Sequence, residues 1–278
     1  MDFNFFSNQY LFFGLLMILS AIPAGFMAGL FGIGGGIITV PVLYYVFEAA
    51  GLNSNYLMHL AVGTSFSIIL PTSISSVITH KKFDAVDFNV VKSFGLFVVI
   101  GVIFGTIFAS ILKTEQLVLI FSIVIFLLGL YLIFLKYKEF ESLSNFKIQY
   151  KIIFGFISGF ISGQLGLGGA VMNVPVLRFF GGYSINKAIG SAAAIGFLIA
   201  ITGVLGFLLI GNYKGIQEPL TIGFINIPAF LIYTPITIIM AKLGAKTVHK
   251  IDKTIITKLF GLLNIAVSIL LFFEYLNY

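Results

Sequence analysis

Residues 25–43 read GFMAGLFGIGGGIITVPVL, and residues 159–177 read GFISGQLGLGGAVMNVPVL. Ten of the nineteen aligned positions are identical: Gly25/Gly159, Phe26/Phe160, Gly29/Gly163, Gly32/Gly166, Gly34/Gly168, Gly35/Gly169, Val40/Val174, Pro41/Pro175, Val42/Val176 and Leu43/Leu177. Apolar composition alone does not place five glycines and a proline in register. The chain therefore carries an internal repeat, echoed more weakly by Gly63-Thr64-Ser65 against Gly190-Ser191-Ala192.

Working outward, the solvent of this chain is lipid. Of its 278 residues, 59% are apolar and only 9% charged, too few charges to cover a water-soluble surface of this size. Apolar runs fall at about 10–31, 33–47, 56–79, 88–112, 115–135, 150–166, 168–182, 185–211, 219–244 and 254–275. Most reach the roughly 20 residues that a helix needs to cross about 30 Å of hydrocarbon. Helix is expected because lipid offers no partner to free backbone groups. The alternation of a membrane β-barrel is missing.

With ten crossings and the N-terminus outside, fourteen of the sixteen basic residues fall on the inner side, leaving Lys113 and Lys214 outside. That distribution obeys the positive-inside rule. Eight crossings with two re-entrant hairpins is the alternative. The expected fold is all-α and polytopic: about ten transmembrane helices as two five-helix repeats, 1–136 and 150–278, joined by a cytoplasmic loop at 137–149. An odd number of spans per repeat inverts the second copy, with both termini outside a cytoplasmic (inner) membrane.

Segments two and seven are the shortest, sit in corresponding places and are interrupted by Gly and Pro. That pattern points to a transport site. Gly32, Gly34, Gly35 and Gly36, with Pro41, break the first; Gly166, Gly168 and Gly169, with Pro175, break the second. Each restarting helix offers amides without intrahelical partners and a partial positive pole that suits an anion. Candidate binding residues are Gly34, Gly35, Gly36, Thr39, Thr64, Ser65, Gln164, Gly168, Gly169, Asn173 and Ser191, with Gly32, Pro41, Gly166 and Pro175 as helix breakers. Glycines at spacing four, such as Gly25/Gly29, Gly101/Gly105 and Gly155/Gly159/Gly163, read as close helix packing.

Several function classes are excluded. There is no cysteine, hence no thiolate nucleophile or metal ligand. The three histidines are scattered, and no HExxH or GxSxG pattern occurs, so neither an enzyme nor a metal or cofactor is expected. No basic face suggests nucleic acid. Under these spans no Asp, Glu, Lys or Arg lies at mid-membrane, which leaves a carboxylate proton relay without a carrier. His59 and His80 fall near span ends and read as solvated interface residues.

At GLFGIGGGIITVPVL (29–43), GTSFSIILPTSISSVITHKKFDAVDF (63–88), GQLGLGGAVMNVPVL (163–177) and AKLGAKTVHKIDKTIITKLFGLL (241–263) the chain resembles the TauE/SafE family of sulfite and organosulfonate exporters. The resemblance implies a cytoplasmic-membrane transporter of small sulfur-containing or organic anions; the inverted repeat adds the expectation of alternating access, by the chain alone or as a homo-oligomer. The alternatives are a passive anion channel and a non-transport membrane component. In the second copy Ser191-Ala192 stands where the first has Thr64-Ser65, and Ala170 stands opposite Gly36. That copy is expected to carry fewer hydroxyls.

Overall fold

The computed structural model describes residues 3–32, 34–52, 54–134, 146–216, 218–250 and 253–278. Among these it contains ten α-helices: α1 (Phe3–Phe31), α2 (Gly36–Ala49), α3 (Leu57–Lys81), α4 (Phe88–Ile111), α5 (Thr114–Phe134), α6 (Ile148–Leu165), α7 (Ala170–Phe179), α8 (Ile185–Tyr213), α9 (Ile227–Thr247) and α10 (Lys253–Leu276). The molecule is all-helical apart from a two-residue hairpin, β1 (Thr221–Ile222) and β2 (Ile225–Asn226), between α8 and α9. The loop expected at 137–149 lies largely outside the described residues; α6 begins within it, at Ile148.

Among the described residues, seven helices are long and apolar enough to cross a membrane: α1, α3, α4, α5, α8, α9 and α10. The chain is thus a multi-pass membrane protein in its architecture. The two glycine segments are shorter than expected. With 14 residues in α2 and 10 in α7, they rise only about 21 Å and about 15 Å at 1.5 Å per residue. Neither helix alone covers about 30 Å of hydrocarbon. The span expected from 219 also begins later. Gly223 turns the chain at φ 58°, Asn226 caps α9 by accepting the Ala229 N–H, and Pro228 sits in the first turn, where a missing N–H costs nothing.

Three long pairs make the frame: α1 along α9, α4 along α6, and α5 along α10. Spaced glycines close the first two pairs, and Gly129 against Gly261 closes the third. A β-carbon on Gly29 would lie 1.9 Å from the Ala241 carbonyl oxygen; one on Gly159 would lie 2.0 Å from that of Val98. Side chains at these positions are excluded by the neighbouring backbone. Dispersion over such close approach is what holds helices together where lipid removes the hydrophobic drive. The packing expected of these spaced glycines is therefore observed.

Between the pairs stand α3 and α8, packed on each other, with α2 against α3 and α7 against α8. From Leu57 to Ile69 nearly every side chain of α3 is buried. The outer helices instead expose Leu15, Leu96, Phe104, Ile107, Leu262 and Phe273, an apolar belt that only lipid or another apolar surface can cover.

The helix ends sort into two groups. Tyr56, Lys113, Thr114, Lys214 and Tyr278 line one polar cavity of about 460 Å³. This brings the start of α3 and the ends of α4, α8 and α10 together. At the other end, His80 and His249 lie within 3.3 Å, Lys151 donates to Ser93, and the Asp87 N–H donates to Ser191. That gathers the end of α3, the start of α4 and the starts of α6 and α8.

Candidate functional site

α1 ends at Phe31, and α2 begins at Gly36 behind its cap, Gly35. α6 ends against Gly166, and α7 begins behind Gly169. Gly32, Gly34, Gly35, Gly166 and Gly169 all have φ between 67° and 80°, a left-handed conformation that a Cβ makes costly. Both stretches therefore break the helix as the sequence suggests.

The two breaks meet. A β-carbon on Gly34 would stand 3.1 Å from the Gly168 Cα, and one on Gly36 would stand 2.1 Å from the Gly166 carbonyl oxygen. One bare backbone crosses the other in the interior. Ser65 of α3 ties the crossing by donating to Gly166 O at 3.0 Å.

Each restarting helix leaves its first amides without helical partners. In α2 the first bonds run from the Ile38 and Thr39 N–H to Gly35 O; in α7 they run from Met172 and Asn173 to Gly169 O. The amides of Gly36 and Ile37, and of Ala170 and Val171, precede them. Pro41 and Pro175 lie inside α2 and α7 without ending them.

The polar candidates are all buried, but they divide by what they do. Thr39 donates back to Gly35 O at 3.1 Å, and Gln164 reaches back to Phe160 O at 3.3 Å; each serves its own helix. Thr64 and Ser191 act as anchors. Thr64 Oγ1 accepts the N–H of Asn226 at 2.9 Å, and Ser191 Oγ accepts that of Asp87 at 2.9 Å. Asp87 caps α4 through the Asn89 and Val90 amides. It also accepts from Tyr183, whose hydroxyl is pushed up to about 12 by burial and by this carboxylate.

Asn173 accepts the Ser158 hydroxyl through Oδ1 at 2.5 Å. Among the described residues its Nδ2 has no partner, nor does Ser162 Oγ. Both atoms lie 3.1 Å from where a β-carbon on Gly169 would sit.

Ser158 and Ser162 were not singled out from sequence. The signal was present in the aligned copies, where they face Ala24 and Ala28. The expectation of fewer hydroxyls in the second copy holds for Ala192 but reverses at this break. His59 and His80, expected at a solvated interface, are buried instead. Each places Nε2 3.0 Å from a helix carbonyl, Ala109 O and Gly29 O. Tyr56 and Phe224 flank the His59 ring, and His249 packs against that of His80. Arg178, expected in an inner connection, is also buried, in the last turn of α7.

No solved structure matches the chain. Among curated relatives, a "probable membrane transporter protein" of Haemophilus influenzae is 32% identical over 262 residues, covering 94% of this chain and 99% of that one. A second protein so described, from Methanocaldococcus jannaschii, is 26% identical, covering 85% of this chain and 87% of its own. The sequence model of the family described as "Sulfite exporter TauE/SafE" matches residues 16–271. The chain, with its paired glycine breaks and apolar helices, belongs to this family of membrane transporters and is not an enzyme.

Proposed function

We propose that this protein is a secondary transporter that carries small oxyanions, such as sulfite or organosulfonates, out of the cell by alternating access. The observation that carries the reading is the crossing of the two breaks, from which α2 and α7 each restart behind a left-handed glycine with first amides that precede the helical bonding. Such amides hold an anion without a buried cation.

In this reading residues 1–136 and 150–278 are two inverted repeats in a cytoplasmic membrane, with both termini outside. Support comes from direction and pairing. α3 runs from the cavity end toward His80, whereas α8 runs from Ser191 toward that cavity. Exchanging the repeats turns the pair α1–α9 into α6–α4 and leaves α3–α8 and α5–α10 unchanged. Lys113 and Lys214, the two basic residues assigned outside, both line the cavity. In the ten-pass path α2 and α7 complete their crossings together with the extended breaks. Since α1 is locked to α9 and α4 to α6, the rocking bodies are these mixed pairs rather than the two sequence halves.

Reconstituted vesicles loaded with sulfite test the proposal. Saturable efflux, accelerated by sulfite or methanesulfonate on the opposite side, is expected. Flux that rises linearly with concentration and ignores the opposite side would indicate a channel, and no flux would end the transport reading.

A further inference from the structure

Ser162 Oγ and Asn173 Nδ2 are buried and have no hydrogen-bond partner among the described residues. Unpaired buried polar atoms are expensive, so two converging on one point mark a place where a ligand completes the bonding. Both flank the bare Cα of Gly169, each 3.1 Å from where a β-carbon there would sit, and the ligand's place lies beyond that position, at contact distance from the Cα. It lies at the N-terminus of α7, beside the amides of Ala170 and Val171.

The groups that converge there can all donate. The Ser158 hydroxyl occupies Asn173 Oδ1, which leaves the amide nitrogen facing Gly169. An acceptor is required, and the helix pole favours a negative one. Ile199 Cδ1 stands 2.2 Å from the same β-position, so a methyl group from α8 fills the space in front of the Gly169 Cα that an oxygen would take. In the first half, Ala24, Ala28 and Thr39 occupy the matching positions, and Thr39 spends its hydroxyl on Gly35.

We infer that Gly169, Ser162 and Asn173 form a seat for one oxygen of an oxyanion, closed by Ile199 and present in the second half alone. The sulfur oxyanion class rests on the transporter reading above; the seat itself rests on the unpaired donors. Binding swings the Ile199 side chain aside and gives Ser162 and Asn173 their missing partner.

Purified full-length protein is titrated with sodium sulfite and with sodium methanesulfonate, and melting is recorded with and without each. Ser162→Ala is expected to weaken binding by roughly 10-fold, the loss of one hydrogen bond to a charged group. Its melting temperature without anion should be unchanged or raised, because the hydroxyl bonds to nothing when the seat is empty. Asn173→Asp should abolish binding, and Ile199→Ala should tighten it. Anion affinities equal to wild type in both Ser162→Ala and Asn173→Asp overturn the seat while leaving transport intact. A fall in the anion-free melting temperature of Ser162→Ala also overturns it, since the hydroxyl would then be structural. Binding that depends on the seat in a protein with no flux keeps the seat and removes the transport reading; a wild type that binds neither anion removes both.

Discussion

Around Gly35 the nearby α1 residues are Ala24 and Ala28; around Gly169 the matching α6 residues are Ser158 and Ser162. The backbones of the two breaks are alike, each capped by a left-handed glycine and each passing against the other. Their linings differ. The first break is sealed by alanine and by a threonine that bonds to its own helix, whereas the second leaves two donors unspent. A repeat can thus keep the geometry of two half-helices while giving the chemistry to one. Backbone form in this molecule follows from the shared glycines, and the polar lining differs at the positions where the copies diverge.

The comparison breaks most forcefully at the crossing itself. Gly36→Ala would bring a methyl group 2.1 Å from Gly166 O, and a rigid backbone carbonyl gives way poorly. We expect a loss of about 3 kcal/mol or more and of nearly all flux, seen as a lowered melting temperature and silent vesicles. A variant that melts and transports like the parent would mean the breaks do not touch. Ser65→Ala comes next. It strips Gly166 O of its hydroxyl donor and should cost about 1–2 kcal/mol, read in the same melting assay.

The caps give a paired comparison between the halves. Asp87→Ala and Asn226→Ala each remove an N-cap worth about 1 kcal/mol. Asp87 should cost more, because it also holds the Tyr183 hydroxyl; equal losses would show that the Tyr183 contact contributes nothing. Least of all, Thr39→Val should shift stability by no more than about 0.5 kcal/mol. Its hydroxyl bonds only one turn back, and such bonds do little for a helix.

Much of this was readable before any coordinates. Hydropathy located ten helices, because in lipid a helix must be long, apolar and self-satisfied, though α1 begins seven residues earlier and α9 eight residues later than expected. The repeated glycines located both breaks, since consecutive glycines have no other use in a membrane helix that is so costly to interrupt. What escaped was partnership at a distance. Thr64 and Ser191 look like site hydroxyls in sequence, yet their bonds run to Asn226 and Asp87, which no local pattern connects to them. His59 and His80 look wet from their places near span ends, yet both are buried, bonded to helix carbonyls and packed against aromatic rings. Ser162 was overlooked because serine in a membrane helix usually answers to its own carbonyls; only the Ala28 opposite it in the other copy marks it as unusual.

The pairing of α1 with α9 also bears on how the chain is made. At the usual pace of a ribosome, roughly 5–20 residues per second, α9 leaves the tunnel roughly 10–40 s after α1. For that interval the glycine face of Gly25 and Gly29 has no mate, and α4 likewise waits for α6. Neither half can finish folding by itself, so newly made chains are expected to dwell with an insertase or other lipid-embedded guardian, and severing the polypeptide between α5 and α6 should yield fragments that survive only when produced together.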